Sequence, residues 1–288
     1  MKYSWFILTY LLLSCNLGFA QTFQNAFKIG GTGSEAVNSI CIDNGFLYAA
    51  GFFGSIVDFD PGIGYIGYGV AGQSDAYFAK YNLQGGFQWV KIISGTGIEE
   101  ILHIKKDGSG NLYVLGWFNG VIDVDPDLTS SVTLGFSSNT KRTFIAKYNS
   151  IGDYVWAFEL YNSVGISTFS AFDVDNNGNI YIGGNVYGSI ALDPNGFQSP
   201  VVGNGEVFTA KYNTYGYLLN SNLMSSTSYI AARVIRNDGA GGYYAGGLYQ
   251  VNIDFEPATG LHTDTSIGYT EGFIAHFNCS WTSPVKIR

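Results

Sequence analysis

The sequence predicts an all-β chain, a β-propeller of about four four-stranded blades, and three observations predict it. The first is repetition. The stretch Asn111-Leu-Tyr-Val-Leu-Gly-Trp-Phe-Asn-Gly-Val-Ile-Asp-Val-Asp-Pro126 recurs as Phe46 to Pro61, Asn179 to Pro194 and Gly242 to Pro257. In each copy a glycine (Gly51, Gly116, Gly184, Gly247) is followed nine residues later by an acid and then proline, and the copies lie 65, 68 and 63 residues apart. A fixed offset inside a slightly variable period marks a repeated supersecondary unit with its insertions in loops. The second observation is that no run combines a helical period with helix caps. The third is that the strand-like runs, such as Leu112-Tyr113-Val114-Leu115, are apolar on both parities. A sheet with one wet face would alternate. Both faces must therefore be covered, and at about 1.5–3 kcal/mol per fully buried large side chain a lone unit leaves much of that gain unrealised. Small sheets stacked radially recover it.

In chain order, Met1-Lys2, an apolar run from Trp5 to Leu13 and the small-residue site Gly18-Phe19-Ala20 read as a secretory signal peptide over residues 1–20. The run is shorter than the about 20 residues a membrane span needs. A second reading takes Leu12-Leu13-Ser14-Cys15 as a lipobox, with the protein anchored through Cys15. Residues 21–288 then form one propeller domain, with repeats near 34–97, 98–165, 166–228 and 229–288.

Each repeat begins with a strand: Asn38 to Ile42, Leu102 to Lys106, Ser170 to Val174 or Arg233 to Asn237. A turn rich in Asp, Asn and Gly follows, a hairpin signal because these residues accept positive φ and bond their own backbone. The aromatic, glycine-containing run is the second strand. The loop after the proline varies in length. Tyr77 to Asn82 and its copies Phe144 to Asn149, Phe208 to Asn213 and Phe273 to Asn278 are third strands, and Phe87 to Ile93, Tyr154 to Leu160 and Tyr217 to Leu223 are fourth strands.

The phase of the repeat leaves two readings open. Ala26 to Gly33 matches the fourth strand Trp89 to Gly97, yet no blade precedes it, and after Phe273 to Asn278 no fourth strand follows. Either residues 23–29 complete the last blade and close the ring, which removes two exposed sheet edges, or the chain is a truncated part of a longer array. The units Gly-Asn-Leu-Tyr-Val-Leu-Gly, Asp-Phe-Asp-Pro-Gly and Asp-Ala-Tyr-Phe-Ala-Lys-Tyr-Asn resemble the SBBP β-propeller repeat of secreted bacterial proteins over residues 23 to about 278. That resemblance implies a propeller fold and a secreted or cell-surface setting, and little about activity. Members often carry a C-terminal sorting domain, which is not part of this sequence.

Charge narrows the partners. With 22 acidic and 14 basic residues the net charge is −8, against a nucleic-acid partner, which calls for a basic face. Cys41 and Cys279 are the cysteines beyond the leader, so no disulfide framework is expected. Cys41 reads as a small buried filler.

Residues repeated in every blade are read as structural. These include Lys80, Lys147 and Lys211 (His276 in the last copy), with apolar stems on the sheet and heads in water, and the acid-x-acid-Pro turns such as Asp58-Phe-Asp60 and Asp123-Val-Asp125. Closely spaced carboxylates can hold calcium, but Ala191 breaks the pattern in the third copy. Asp173, Asp175 and Asn177 begin the best single ligand run, although Gly184 stands where a calcium loop places its distal Glu. A plain hairpin turn is the preferred reading, and no cofactor is expected. His103, His262 and His276 show no metal-ligand spacing. No catalytic residue is assigned: there is no nucleophile elbow or phosphate loop, and nothing in the spacing of Glu99, Glu100, Glu159 and Glu206 brings two of them together.

Non-equivalent residues remain on the first strands, which line a propeller's channel. Cys41, Lys105, Asp173 and Arg236 share one repeat position. Lys105, Asp173 and Arg236 are the candidate ligand site, with a channel of solvated ion pairs as the plainer alternative. The expected function is a monomeric, exported, non-enzymatic scaffold binding protein or glycan through loops on one propeller face. The alternatives are a propeller carbohydrate-active hydrolase or lyase and a fragment of a longer surface adhesin.

Overall fold

The computed structural model describes residues 23–137, 140–164, 167–196, 198, 200–257 and 262–278. The predicted leader, residues 1–20 with Cys15, and the end from Cys279 to Arg288 lie outside them. Strand β1 is Gly30–Gly31, and blade 1 follows as β2 (Glu35–Asp43), β3 (Phe46–Phe53), β4 (Val57–Asp58), β5 (Gly67–Tyr68), β6 (Asp75–Asn82) and β7 (Phe87–Gly95). Blade 2 is β8 (Glu99–Lys106), β9 (Leu112–Phe118), β10 (Val121–Asp123), β11 (Thr133–Gly135), β12 (Arg142–Tyr148) and β13 (Tyr154–Val164). Blade 3 is β14 (Thr168–Val174), β15 (Ile180–Ala191), β16 (Val201–Tyr212) and β17 (Leu218–Met224). Blade 4 is β18 (Ile230–Asn237), β19 (Tyr243–Tyr249), β20 (Asn252–Asp254), β21 (Thr263–Thr265) and β22 (Glu271–Phe277). The fold is all-β, of the propeller type, with antiparallel pairing between consecutive strands of each blade.

The repeated glycine has a steric cause. In every blade the first strand carries a bulge, between Val37 and Ser39, Ile101 and His103, Phe169 and Ala171, or Ala232 and Val234. The glycine of the second strand sits opposite. A Cβ on Gly51, Gly116, Gly184 or Gly247 would clash with the carbonyl oxygen of Ala36, Glu100, Thr168 or Ala231. Only glycine allows that backbone approach.

Packing between blades forms the core. Blades 1 and 2 bury Phe78, Ile101, Ile104, Val114 and Phe144 between them, with the Phe78 and Tyr148 rings 4.5 Å apart. Equivalent seams join blade 2 to 3 and blade 3 to 4. Both faces of the inner blades are thus covered, as the two-parity apolar runs require.

Two features depart from the sequence expectation. Residues 23–29 are not a strand and do not complete blade 4. Instead β1 pairs with β4, Gly30 opposite Asp58 and Gly31 opposite Val57, and Phe27 and Ile29 pack on the outer face of blade 1. The physical reason is the apolar face of blade 1, where Phe53, Phe59, Tyr77 and Tyr81 take up Phe27 and Ile29. Blade 4 has three main strands, and β22 has β19 as its sheet neighbour among the described residues. Secondly, the loop after the proline is not all loop in blades 1 and 2: it returns as β5 and β11, which pair with β4 and β10. The ribbons β4–β5 and β10–β11 run along the outer rim, and β10 pairs with the end of the preceding fourth strand, β7. That pairing covers an otherwise exposed strand edge.

Candidate functional site

The inner strands β2, β8, β14 and β18 are stitched to one another through polar side chains. The bulge residue Asn38 donates to the Ile101 carbonyl at 2.9 Å, and the bulge residue Ser170 donates to that of Ala232 at 2.9 Å. Lys106 reaches across to pair with Asp43. This frame brings the three candidate residues together. Lys105 Nζ lies 4.0 Å and Arg236 Nη1 3.8 Å from Asp173 Oδ1. The other oxygen of Asp173 accepts from the backbone N–H of Asn237 at 2.9 Å and its side-chain amide at 2.8 Å. One carboxylate therefore joins the inner strands of three consecutive blades. The two cations are partly solvated, and exposed pairs of this length contribute about 0–1 kcal/mol. Asp173 is nearly buried, and its bonds to Asn237 hold the seam between blades 3 and 4.

Cys41 shares the repeat position of these charges and does not join them. It packs against the seam between blades 1 and 2. Burial pushes its thiol up to about 11, with Lys105 and Lys106 pulling the other way and Asp43 adding to the rise. His103 stacks on Phe172 at 6.1 Å. Burial, then Lys105 and Arg236, hold its imidazole below the usual histidine range. Cys41, Asp43, Lys105, Lys106 and Asn176 line a groove of about 480 Å³ at the hairpin end of the first blades.

The calcium-like run is hairpin chemistry in its geometry. Asp175 accepts from the backbone of Asn177 and Asn179 at 2.9 Å each, from the Asn179 amide at 2.8 Å and from the Tyr181 hydroxyl at 3.0 Å. Asp107 repeats that set with Ser109, Asn111 and Tyr113. Asp173 points its bonds at Asn237 instead. The rim acids do the same work: Asp58 accepts from Asp60 and Ile66 at 3.0 and 2.9 Å, and Asp123 from Asp125 and Val132 at 3.1 and 2.9 Å. Among the described residues no three His, Cys, Asp or Glu side chains are grouped to hold a metal ion.

The repeated lysines differ from expectation in one respect. Lys147 and Lys211 do not keep their heads in water. Both are buried, and they donate to the next blade: Lys147 to Thr214 Oγ1 at 2.7 Å and Lys211 to the Gly241 carbonyl at 2.6 Å. The neighbouring hairpin covers them and supplies the acceptors.

The non-repeated acids stay apart. Glu100 accepts from Trp117 at 2.7 Å and Asn38 at 2.8 Å, Glu159 pairs with buried Arg142 at 2.9 Å, and Glu206 caps the backbone of Asn204. Glu99 is the exception, and sequence reasoning missed its partner. It meets Asp75, both side chains fully buried between blades 1 and 2. Burial, then the Asp75 charge, push the Glu99 carboxyl up to about 8, and burial raises Asp75 too. No spacing signal foretells the pair, because Asp75 occupies a position held by Arg142, Glu206 and Glu271 in the other blades.

No protein-family model matches the chain. It is similar to an uncharacterized WD repeat-containing protein of Acanthamoeba polyphaga mimivirus, 28% identical over 222 residues. The match takes in 67% of this chain and spans 16% of the length of that relative. WD repeats build propeller blades, in keeping with the fold described above. The five tryptophans of this chain include none followed by aspartate.

Proposed function

We propose that this chain is a non-enzymatic propeller scaffold, exported from the cell, that binds a protein partner through the tips of its rim ribbons. The observation that carries the reading is their exposure. Ile63 at the tip of β4–β5 and Leu128 at the tip of β10–β11 are essentially fully exposed, and Tyr65 beside Ile63 is 68% exposed. Apolar side chains held out on loops of a rigid frame support an interaction role. The similarity to a WD repeat-containing protein supports a repeated-blade scaffold. Against a carbohydrate-active site, the Asp75 and Glu99 carboxyls touch and are buried. A glycosidase pair stands about 5–9.5 Å apart around its substrate.

A glycan ligand is a second reading, favoured by the exposed rings of Tyr65 and Tyr269. Affinity capture from extracts of the source cells, with the wild-type chain and the Ile63→Ser, Tyr65→Ser, Leu128→Ser variant, tests the proposal. The reading expects a discrete protein retained by the first and lost by the second. Glycan-array binding with no protein capture would overturn it in favour of the glycan reading. Mass spectrometry of the secreted protein checks export. A mature terminus at Gln21 fits a cleaved leader, an acylated Cys15 fits an anchor, and an intact Met1 counts against both.

A further inference from the structure

The position of residues 27–31 is that of a fourth strand belonging to a blade before blade 1. In blade 1 the end of β7 pairs with the next ribbon, Ser94 opposite Asp123 and Gly95 opposite Ile122. Tyr161 stands opposite Ala191, and Ser225 opposite Asp254, in the next two blades. Gly30 opposite Asp58 and Gly31 opposite Val57 repeat the pairing, since Asp58, Asp123, Ala191 and Asp254 are one repeat position. Side chains agree with the backbone. Phe27, three residues before Gly30, packs on Tyr81 with ring centroids 5.0 Å apart. Phe158, three residues before Tyr161, packs on Tyr212 at 5.4 Å. Phe27 also lies over Gly85 as Phe158 lies over Gly216.

Blade 4 presents the converse. Its three strands have no fourth among the described residues, and its outer face is bare: Ile274 is 81% exposed, with Val234 and Tyr244 also exposed. The matching positions in the other blades are buried in seams, Ile145 against blade 3 and Phe78 against blade 2. At the other end, Val37, Ile40 and Ile42 of blade 1 are exposed. Their counterparts Ile101 and Ile104, and Phe169, Phe172 and Val174, are covered by the preceding blade.

We infer that the occupant of each end is a second copy of this chain. Blade 4 of one copy docks its bare face on blade 1 of the next, and the next copy's residues 25–29 run along β22. The pairings Phe78–Lys91 and Ile145–Phe158 set the register: Ile274 falls opposite Phe27, and Ala275 opposite Ala26. The contact continues the inter-blade seam that the chain already makes three times. It joins two different surfaces, so it is heterologous and propagates head to tail, closing into a ring or extending as a filament. It also covers the edge of β22 that has no sheet neighbour among the described residues.

Sedimentation of the purified chain over a wide concentration range, alone and as variants, tests this. Ile40→Lys blocks one end and Ile274→Lys the other, and both sites are exposed, so the fold is retained, as circular dichroism verifies. Val37→Lys and Ile274→Asp form a second pair should either fail to fold. The wild type is expected to self-associate with rising concentration, and each variant alone to stay monomeric. An equimolar mixture of the two variants should form dimers and nothing larger, because one intact end remains on each. A wild type that is monomeric throughout, or a mixture that stays monomeric, would overturn the proposal.

Discussion

Glu99 lies against Asp75 in the seam between blades 1 and 2, two buried carboxyl groups in contact with no cation paired to them among the described residues. The folded chain holds the Glu99 proton up to about pH 8, whereas the unfolded chain releases it near the ordinary glutamate value. Stability is therefore fully present below that ordinary value and falls as the pH rises toward about 8. Thermal melts across this window should show the decline. Glu99→Gln, which keeps the size and a hydrogen-bond donor, should flatten it and stabilise the chain by about 1–3 kcal/mol at its alkaline end. A wild-type melt independent of pH would count against the buried pair.

The glycine opposite each bulge is predicted to be the least replaceable residue of its blade. Gly184→Ala should cost about 1–3 kcal/mol by overpacking, because the carbonyl oxygen of Thr168 already occupies the space of a Cβ. Gly45 makes the control: its Cβ would meet nothing within 4 Å, so any loss there comes from its positive φ alone. Chemical denaturation of both variants separates the two effects.

Tyr148 and Tyr212 each tie their blade's rim segment down, donating to the carbonyls of Val124 at 2.8 Å and Leu192 at 2.7 Å. Removing either hydroxyl as Phe leaves a buried carbonyl without its donor, at about 1–3 kcal/mol. Blade 4 carries Phe277 at this position. Phe277 stacks on Tyr243 in the seam with blade 3, ring centroids 5.1 Å apart, and has no hydroxyl to donate to its rim segment.

At the inner strands, Asp173→Ala should destabilise by about 1–2 kcal/mol through loss of both Asn237 bonds. Lys105→Met and Arg236→Met should each move the melt little, because their pairs are long and partly solvated. Equal losses for all three would mean that the charges, rather than Asn237, secure the seam. Excess chelator should leave the wild-type melt unchanged, because the turn carboxylates already bond backbone N–H groups. A large drop would place calcium in the turns.

Much of this architecture was legible in the sequence because repetition is itself a structural signal. The period gave the blades, and the Asp-Asn-Gly turns gave their hairpins at Asp107 and Asp175. What the sequence could not place was anything decided between repeats. Phe27 matches a fourth strand in its residues, yet which blade it joins depends on an uncovered face, which no local pattern records. The stretch after each proline reads as loop because β5 and β11 are only two and three residues long. The candidate trio Lys105, Asp173 and Arg236 is legible because the three share one repeat position whose residue type varies. Asp75 and Glu99 sit at two different repeat positions, one opening a third strand and the other a first strand, so no comparison at a single position pairs them.

In the proposed function a partner protein meets the rim ribbons. Hydrogen–deuterium exchange of the chain, alone and with the captured partner, tests it most directly. Binding should slow exchange in residues 61–68 and 126–133 and leave the Asp-Asn-Gly hairpins at 43–46, 107–111 and 175–179 unchanged. Protection confined to those hairpins, with the ribbons unaffected, would contradict it.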